Sequence, residues 1–313
     1  MNSMSKKRIA VLLSAYNGER YIEKQIESIL NQEELDSLTL IVRNDGSKDE
    51  TIHILQRLQR SHSNIVILDE QNIGLVASFL ALLNYAYQQG FDYYAFSDQD
   101  DYWLPEKLKV AVNALEDHDE ACMYASCSML ADENLEPTGN VTQTQIREIT
   151  FFNSAIQNFC PGHNQVLNHK MAGKVVSKTT YSPLIYSQDL WITKVASVTG
   201  NIVFDNTPHT LYRQHTNNQL GFGKNKIEWV IDHMKRLQKD EGKKIALQLK
   251  YFCECYGEFL TDEQKEEIKQ FFACQDSIAK RAAYISHTKL YRQKSHETPM
   301  LKAIYLMGGY NID

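Results

Sequence analysis

The chain has 313 residues, 43% hydrophobic and 23% charged, a balance that fits a globular protein with one large core or two modest ones. No apolar stretch reaches the roughly 18 residues a membrane-spanning helix needs, and a net charge of -6 argues against a whole-molecule nucleic-acid footprint. The six cysteines include no CxxC pair, and Cys253 with Cys255 fits no common zinc spacing, so reduced thiols in the cytoplasm are the simplest account.

The opening MNSMSKKRIAVLLSAYN places basic residues before an apolar run, as a signal peptide does. The run is short and lacks a small-residue cleavage site, so Arg8 to Ser14 reads as a first strand. Ile22, Ile26, Ile29 and Leu30 follow at helical spacing. The alternation continues with strand at Leu38 to Arg43, helix at Glu50 to Arg60 and strand at Asn64 to Leu68. A helix then carries Leu75, Phe79, Leu82, Leu83 and Ala86, and a fourth strand spans Tyr93 to Ser97. Pro105 suits the first turn of the next helix. Such alternation predicts an α/β fold: a mostly parallel sheet with helices on both faces.

In that architecture ligands gather where loops leave the carboxyl ends of the strands. SAYNGERY, NDGSKDET, QNIG and SDQDDYW follow strands one to four in turn. Taken singly, most have a plainer reading. Asn17 and Gly18 could turn the chain, Ser47 or Asp49 could cap a helix, Asn72 and Gly74 are ordinary turn residues, and Tyr16 could simply pack. SDQDDYW is harder to dismiss, because Asp98, Asp100 and Asp101 crowd four positions and repel one another. A hard divalent cation, Mg²⁺ or Mn²⁺, would relieve them and share its coordination with substrate phosphates. Asp98 and Asp100 are the first choice of ligands, with Asp101 assigned to holding the loop or the following helix.

AYNGERYIEKQIESILNQ, NDGSKDET and SDQDDYW together resemble the inverting glycosyltransferases of family two, which have the GT-A (Rossmann-like) fold, over residues 8 to about 221. The resemblance implies a nucleotide-sugar donor. Its nucleotide would meet Ala15, Tyr16, Asn17, Asp45, Asn72, Asp98 and Gln99, with Asp98 and Asp100 as the metal-holding pair. Where the family usually has a further acid before Asp45, this chain has Asn44. Asp189, in IYSQDLWI, is the candidate base that takes the acceptor proton, against an ordinary reading as a helix N-cap. Trp191 follows it as a candidate for the acceptor or sugar pocket, although Leu190 departs from the family's aromatic pattern.

LYRQHTNNQLG resembles the YRQHxxNxxG ending of bacterial rhamnosyltransferases and implies dTDP-L-rhamnose as donor and a cell-wall or capsular polysaccharide as product. There Arg213 and His215 would face the diphosphate or metal, and Asn217, Asn218 and Gly221 would form a loop over the donor. CPGHNQVLN resembles a segment lining the sugar and acceptor pocket, with Gly162, His163 and Asn164 as candidates, the latter two expected to be exposed. A buried strand entered by a Pro, Gly turn is the competing reading.

Residues 1–224 are thus expected to form the catalytic domain, with a nucleotide-binding half to about 100 and an acceptor half from 101. Residues 225–313 read as a C-terminal helical region. Ile227, Val230, Ile231, Met234 and Leu237 mark one helix there, and Ile268, Phe271, Phe272 and Gln275 another after the Thr261, Asp262 start signal. This region would pack on the catalytic domain or on a second copy. Alternatively, its basic, tyrosine-rich stretch from Lys280 to Tyr305 would lie on the inner face of an anionic membrane, near a lipid-linked acceptor. A nucleotidyltransferase would need a Gly-rich, basic first loop, and a phospho-accepting receiver an acidic pair after strand one. SAYNGERY supplies neither, and a catalytically inactive sugar-nucleotide binder is opposed only by the retained Asp100 and Asp189.

Overall fold

The structure, a computed structural model, describes residues 7–33, 35, 37–214 and 241–312. Strand β1 (Arg8–Ala15) is buried after its first residue, and its side chains divide between two cores. Ile9, Val11, Leu13 and Ala15 enter one; Ala10 and Leu12 enter the other. This is why the run is continuously apolar: a strand covered on both faces has no polar side to show.

The chain continues through α1 (Ile22–Leu30), β2 (Ser37–Asp45), α2 (Thr51–Ser61), β3 (Ile65–Glu70), α3 (Leu75–Gln88) and β4 (Tyr93–Ser97). Next come β5 (Tyr102–Trp103), α4 (Lys107–Glu116), β6 (Cys122–Ser126), β7 (Met129–Ala131), β8 (Pro137–Val141) and the short α5 (Phe151–Ser154). A 3-10 turn at Gly162–Asn164 leads into β9 (Val166–Asn168), α6 (His169–Lys178), α7 (Gln188–Thr199), β10 (Asn201–Asp205) and β11 (Thr210–Arg213). The main sheet runs β10-β6-β9-β4-β1-β2-β3, and a small one runs β5-β11-β7-β8. In the main sheet β9 alone is antiparallel, pairing with β4 and β6. The expected mostly parallel α/β sheet is therefore present, with α1, α2 and α4 on one face and α3, α6 and α7 on the other.

Helices α8 (Gly242–Tyr256), α9 (Asp262–Ala273), α10 (Ile278–His287) and α11 (Glu297–Leu306) complete the described chain. Thr261 and Gln264 form a reciprocal capping box at the start of α9, as the Thr261, Asp262 signal anticipates. The helix expected over Ile227 to Leu237 lies outside the described residues. Phe252 and Tyr256 of α8 pack on Trp191, and Phe271, Tyr284 and Tyr305 pack on one another, all within the core that holds α3 and α7.

The basic stretch divides between core and surface: Arg292 is buried, whereas Lys280 and Lys289 are exposed. Tyr284 and Tyr305 are buried, Lys280 pairs with Asp276 at 2.6 Å, Lys289 with Glu263, and Arg292 with Glu297 at 3.1 Å. Tyr284 and Tyr305 are therefore core residues and not part of a membrane-facing surface, while the exposed lysines of the stretch stay at the surface in local ion pairs. Among the described residues no helix is long and apolar enough to cross a membrane.

Candidate active site

The antiparallel setting of β9 builds the site. Because β9 runs against β4, its amino-terminal turn Gly162–Asn164 lies beside the carboxyl end of β4, where the acidic loop begins. The chain thus brings CPGHN and SDQDDYW to one sheet edge although 56 residues lie between them. β11 crosses the same edge, and the backbone N–H of Arg213 donates to Asp101 Oδ1 at 3.3 Å.

The ligand atoms of Asp98, Asp101 and His163 lie within 4.8 Å of one another. His163 Nδ1 is 3.5 Å from Asp98 Oδ2 and 3.9 Å from Asp101 Oδ2. Asp98 is partly exposed, whereas Asp101 is fully buried and its Oδ2 accepts no hydrogen bond among the described residues. Burial pushes the Asp101 carboxyl above its ordinary range; His163 opposes the rise, and the carboxylates of Asp100 and Asp98 add to it. Burial disfavours the His163 imidazolium, but Asp101 and Asp98 outweigh it and raise the ring's pKa. Two carboxylates and an imidazole, one oxygen of them buried without a donor, form a hard O/N set that fits Mg²⁺ or Mn²⁺.

This grouping differs from the expected Asp98 and Asp100 pair. Asp100 is half-buried outside the convergent set, and its carbonyl accepts Arg213 Nε at 2.8 Å. Asp101 both holds the loop, through Arg213 N, and belongs to the cluster. His163 and Asn164 are buried, contrary to the expectation of exposure. The His163 ring stacks on Tyr212 at 5.0 Å, and its Nε2 lies 2.9 Å from Ser128 Oγ. Ser128, His163 and Asp98 follow the order of a nucleophilic relay, yet Ser128 is fully buried and also accepts from Asn164 Nδ2 at 2.7 Å, so it meets no substrate.

On the other side of the acidic loop, Gln99 pairs with the Tyr16 backbone as a strand would: Tyr16 N–H donates to Oε1 at 2.9 Å and Nε2 donates to Tyr16 O at 3.1 Å. The Tyr16 side chain is left 45% exposed, and Ile73 and Leu75 are exposed as well. Ala15 is buried in the core, so only its backbone is available to a ligand. Asn17, at φ 48°, accepts Lys48 N at 2.9 Å and ties the first loop to the second. Asp45 is buried, ion-paired with Arg43, and accepts Ile73 N at 2.9 Å and Gly74 N at 3.0 Å. Asn72 donates to Asp45 O at 2.9 Å. The Asp45 carboxylate therefore shapes the Asn72 to Gly74 loop; in this conformation its oxygens are turned to that backbone and not to solvent.

Asp189 lies in the first turn of α7; Ser187 is the N-cap, and Asp189 shares with it the backbone N–H of Leu190. Its Oδ1 accepts Leu190 N at 2.8 Å and the Ser187 hydroxyl; its Oδ2 accepts Asn158 Nδ2 at 2.7 Å and Gly162 N at 3.2 Å. A Cβ at Gly162 would come 2.9 Å from Gln188 Nε2 and 3.3 Å from Asp189 Cβ, so a side chain there would press on the first turn of α7 beside Asp189. Trp191 is fully buried against Tyr251, Phe252 and Tyr256, with its indole N–H donated to Thr179 Oγ1 at 2.9 Å. It is a core residue and not a pocket wall, because the helical period that points Asp189 at the turn points Trp191 inward. Arg213 is also buried, its guanidinium given to the carbonyls of Asp100 and Glu133 and stacked 4.6 Å from the Tyr21 ring centroid, a clamp on the acidic loop instead of a diphosphate contact. His215, Asn217, Asn218 and Gly221 lie outside the described residues.

Three residues at the site escape the sequence reading: the cluster role of Asp101, Asn158 on Asp189, and Lys107 beneath His163. Lys107 alone leaves a trace, since it shares the apolar stripe of Leu108, Ala111 and Leu115 in α4, an unusual place for a charge.

The sequence matches the family model described as Glycosyl transferase family 2 over residues 10–174, just over half of the chain. It is 28% identical over 217 residues to the dTDP-rhamnosyl transferase RfbG of Shigella flexneri, covering 67% of this chain and 73% of that protein. Among solved structures it resembles S. aureus TarS 1-349 in complex with UDP-GlcNAc, with a TM-score of 0.58 at 16% identity over 98% of this chain and 90% of that one. It also resembles the mannosyltransferase PcManGT of Pyrobaculum calidifontis in complex with GDP-Man and Mn²⁺, with a TM-score of 0.54 at 14% identity over 98% and 86%. At those identities the structures speak for the fold; the family match, on the segment that carries the acidic loop and the Gly162–Asn164 turn, places this chain among the family 2 glycosyltransferases.

Proposed function

We propose that the protein transfers L-rhamnose from dTDP-L-rhamnose to a sugar hydroxyl of a growing, lipid-linked cell-wall or capsular polysaccharide, with inversion at the anomeric carbon. The observation that carries the reaction class is the convergence of Asp98, Asp101 and His163 at the sheet edge that also presents Tyr16 and Asp189. The likeness to RfbG and the LYRQHTNNQLG string support the choice of donor.

The nucleobase enters beside the exposed Tyr16 and Ile73, on the loop that Asp45 and Asn72 hold, with Asn17 and Gln99 fixing the backbone around it. Asp98, Asp101 and His163 would hold Mg²⁺ or Mn²⁺, which supplies positive charge against that developing on the diphosphate. Asp189 accepts the proton of the acceptor hydroxyl while its oxygen bonds to the anomeric carbon and the bond from that carbon to the diphosphate oxygen breaks. All four lone-pair directions of Asp189 are engaged here, so the acceptor hydroxyl takes the place of one donor. Asn158, the more exposed of the two on Oδ2, is the one to yield.

The test is to offer the protein dTDP-L-rhamnose and UDP-sugars with a rhamnose- or hexosamine-terminated lipid acceptor, with and without chelator. Transfer from dTDP-L-rhamnose that stops with chelator and returns with Mg²⁺ or Mn²⁺ is expected. Transfer confined to UDP-hexose or UDP-hexosamine donors overturns the donor assignment, and indifference to chelation moves the three ligands to a structural role.

A further inference from the structure

Lys107 lies in the first turn of α4, six residues after Asp101, and is 1% exposed. Its ammonium donates to His163 O at 2.7 Å, Asn164 Oδ1 at 2.8 Å and Thr210 Oγ1 at 2.6 Å, and sits 4.2 Å from the centroid of the Trp103 ring. Three acceptors match its three donors, so no hydrogen of the buried ammonium is left over. The groups it gathers come from separate parts of the chain: the turn before β9, the start of β11, and the segment that leaves the acidic loop.

The Gly162–Asn164 turn held in this way has contacts on both sides of the site. Gly162 N–H reaches Asp189, and the His163 ring reaches Asp98 and Asp101. Asn164 is fixed further by donating to Ser126 O at 2.9 Å and by accepting from Thr210 Oγ1 at 2.8 Å. Resting on the transferase reading above, we propose that Lys107 is a positioning residue, a buried pin that sets the turn carrying His163 and thereby fixes the acidic cluster relative to Asp189. It reaches neither donor nor acceptor itself. A side chain ending in several N–H donors suits this place because it must bind a carbonyl, a carboxamide and a hydroxyl at once, which no apolar or singly donating residue can do.

The experiment reads the His163 ring directly. In protein labelled with ¹⁵N-histidine, the His163 signal is assigned by its loss in His163→Gln and followed in Lys107→Met and Thr210→Val without metal. Both variants are expected to move the His163 ring resonances, Lys107→Met further, and Mg²⁺ added with dTDP should then act on Lys107→Met at a concentration about 10-fold or more higher than for the unaltered protein. His163 resonances that coincide with those of the unaltered protein in folded variants overturn the proposal. Where Lys107→Met does not fold, Lys107→Gln, which keeps a polar donor but can serve at most two of the three acceptors, decides the matter, with Thr210→Val beside it to weigh the hydroxyl's own bond to Asn164. Should Mg²⁺ with dTDP leave the unaltered protein's His163 signal unmoved, the metal reading fails, while the metal-free comparison still answers for Lys107.

Discussion

Asp189 has four neighbouring donors, which makes its substitutions informative in pairs. Asp189→Asn places an amide N–H₂ against donors that now meet an oxygen, and as the loss of a general base it should lower transfer on the order of 10²-fold or more with donor binding retained. Asn158→Ala should cost less than about 10-fold, because the acceptor hydroxyl replaces that amide. Comparing the initial transfer rates of the two variants checks both; an Asn158→Ala loss as deep as that of Asp189→Asn would mean that Asn158 has its own part in the reaction. Five residues further along α7, Lys194 is fully buried and its ammonium finds no hydrogen-bond partner among the described residues. Burial pulls its pKa down to about 7 from 10.5, against the opposing pull of Cys253 and Asp189. Between those values the unfolded chain holds the proton more firmly than the folded one, so stability rises with pH across that window. Lys194→Met removes the penalty and should stabilise the fold by about 1–3 kcal/mol at and below pH 7, with the gain shrinking towards pH 10. Denaturant titrations of both proteins across that range measure it, and a gain constant with pH would exclude the charge as its source.

At the scale of elements, the first half of the chain was legible because its strands are buried on both faces and its helices are amphipathic. Tyr93 to Ser97 coincides with β4, and the other early elements agree to within one or two residues at most ends. The loops were legible as a set at one edge but not as contacts. Which carboxylates converge depends on the antiparallel β9, and three residues of strand entered from a 3-10 turn leave no periodicity to read. Trp191 and Arg213 were misplaced for the same reason, since a motif gives residue type while packing decides which face it serves. The Gln99 pair with Tyr16 shows how narrow the tolerance is. A Cβ at Gly18 would lie 2.8 Å from Gln99 Cδ, and that carboxamide is the movable partner. Gly18→Ala should therefore leave the melting temperature nearly unchanged yet raise the donor KM about 3–10-fold, the worth of one or two hydrogen bonds on the Tyr16 backbone. An unaltered donor KM would show that Tyr16 keeps its place without Gln99.

Across the whole molecule, the C-terminal helices share a core with the catalytic sheet. One hydrophobic cluster runs from Leu12 and Phe96 through Trp191 to Leu249, Phe252 and Tyr256, and on to Phe271, Tyr284 and Tyr305. Gln248 of α8 also accepts Ser187 N–H at 3.0 Å, directly before the turn that presents Asp189. Helix α8 thus braces the segment that leads to Asp189 as well as covering Trp191. Each large side chain stripped of this cover forfeits about 1.5–3 kcal/mol, so losing several exceeds the 5–15 kcal/mol by which a domain is ordinarily stable. A chain ending at residue 240 should consequently fail to fold as a soluble catalytic unit, and the full chain should unfold in one calorimetric transition with its van't Hoff and calorimetric enthalpies in agreement. Two resolved transitions, or a truncated chain with the melting temperature of the whole, would establish the helices as a separate domain and leave Gln248 without a part in placing Asp189.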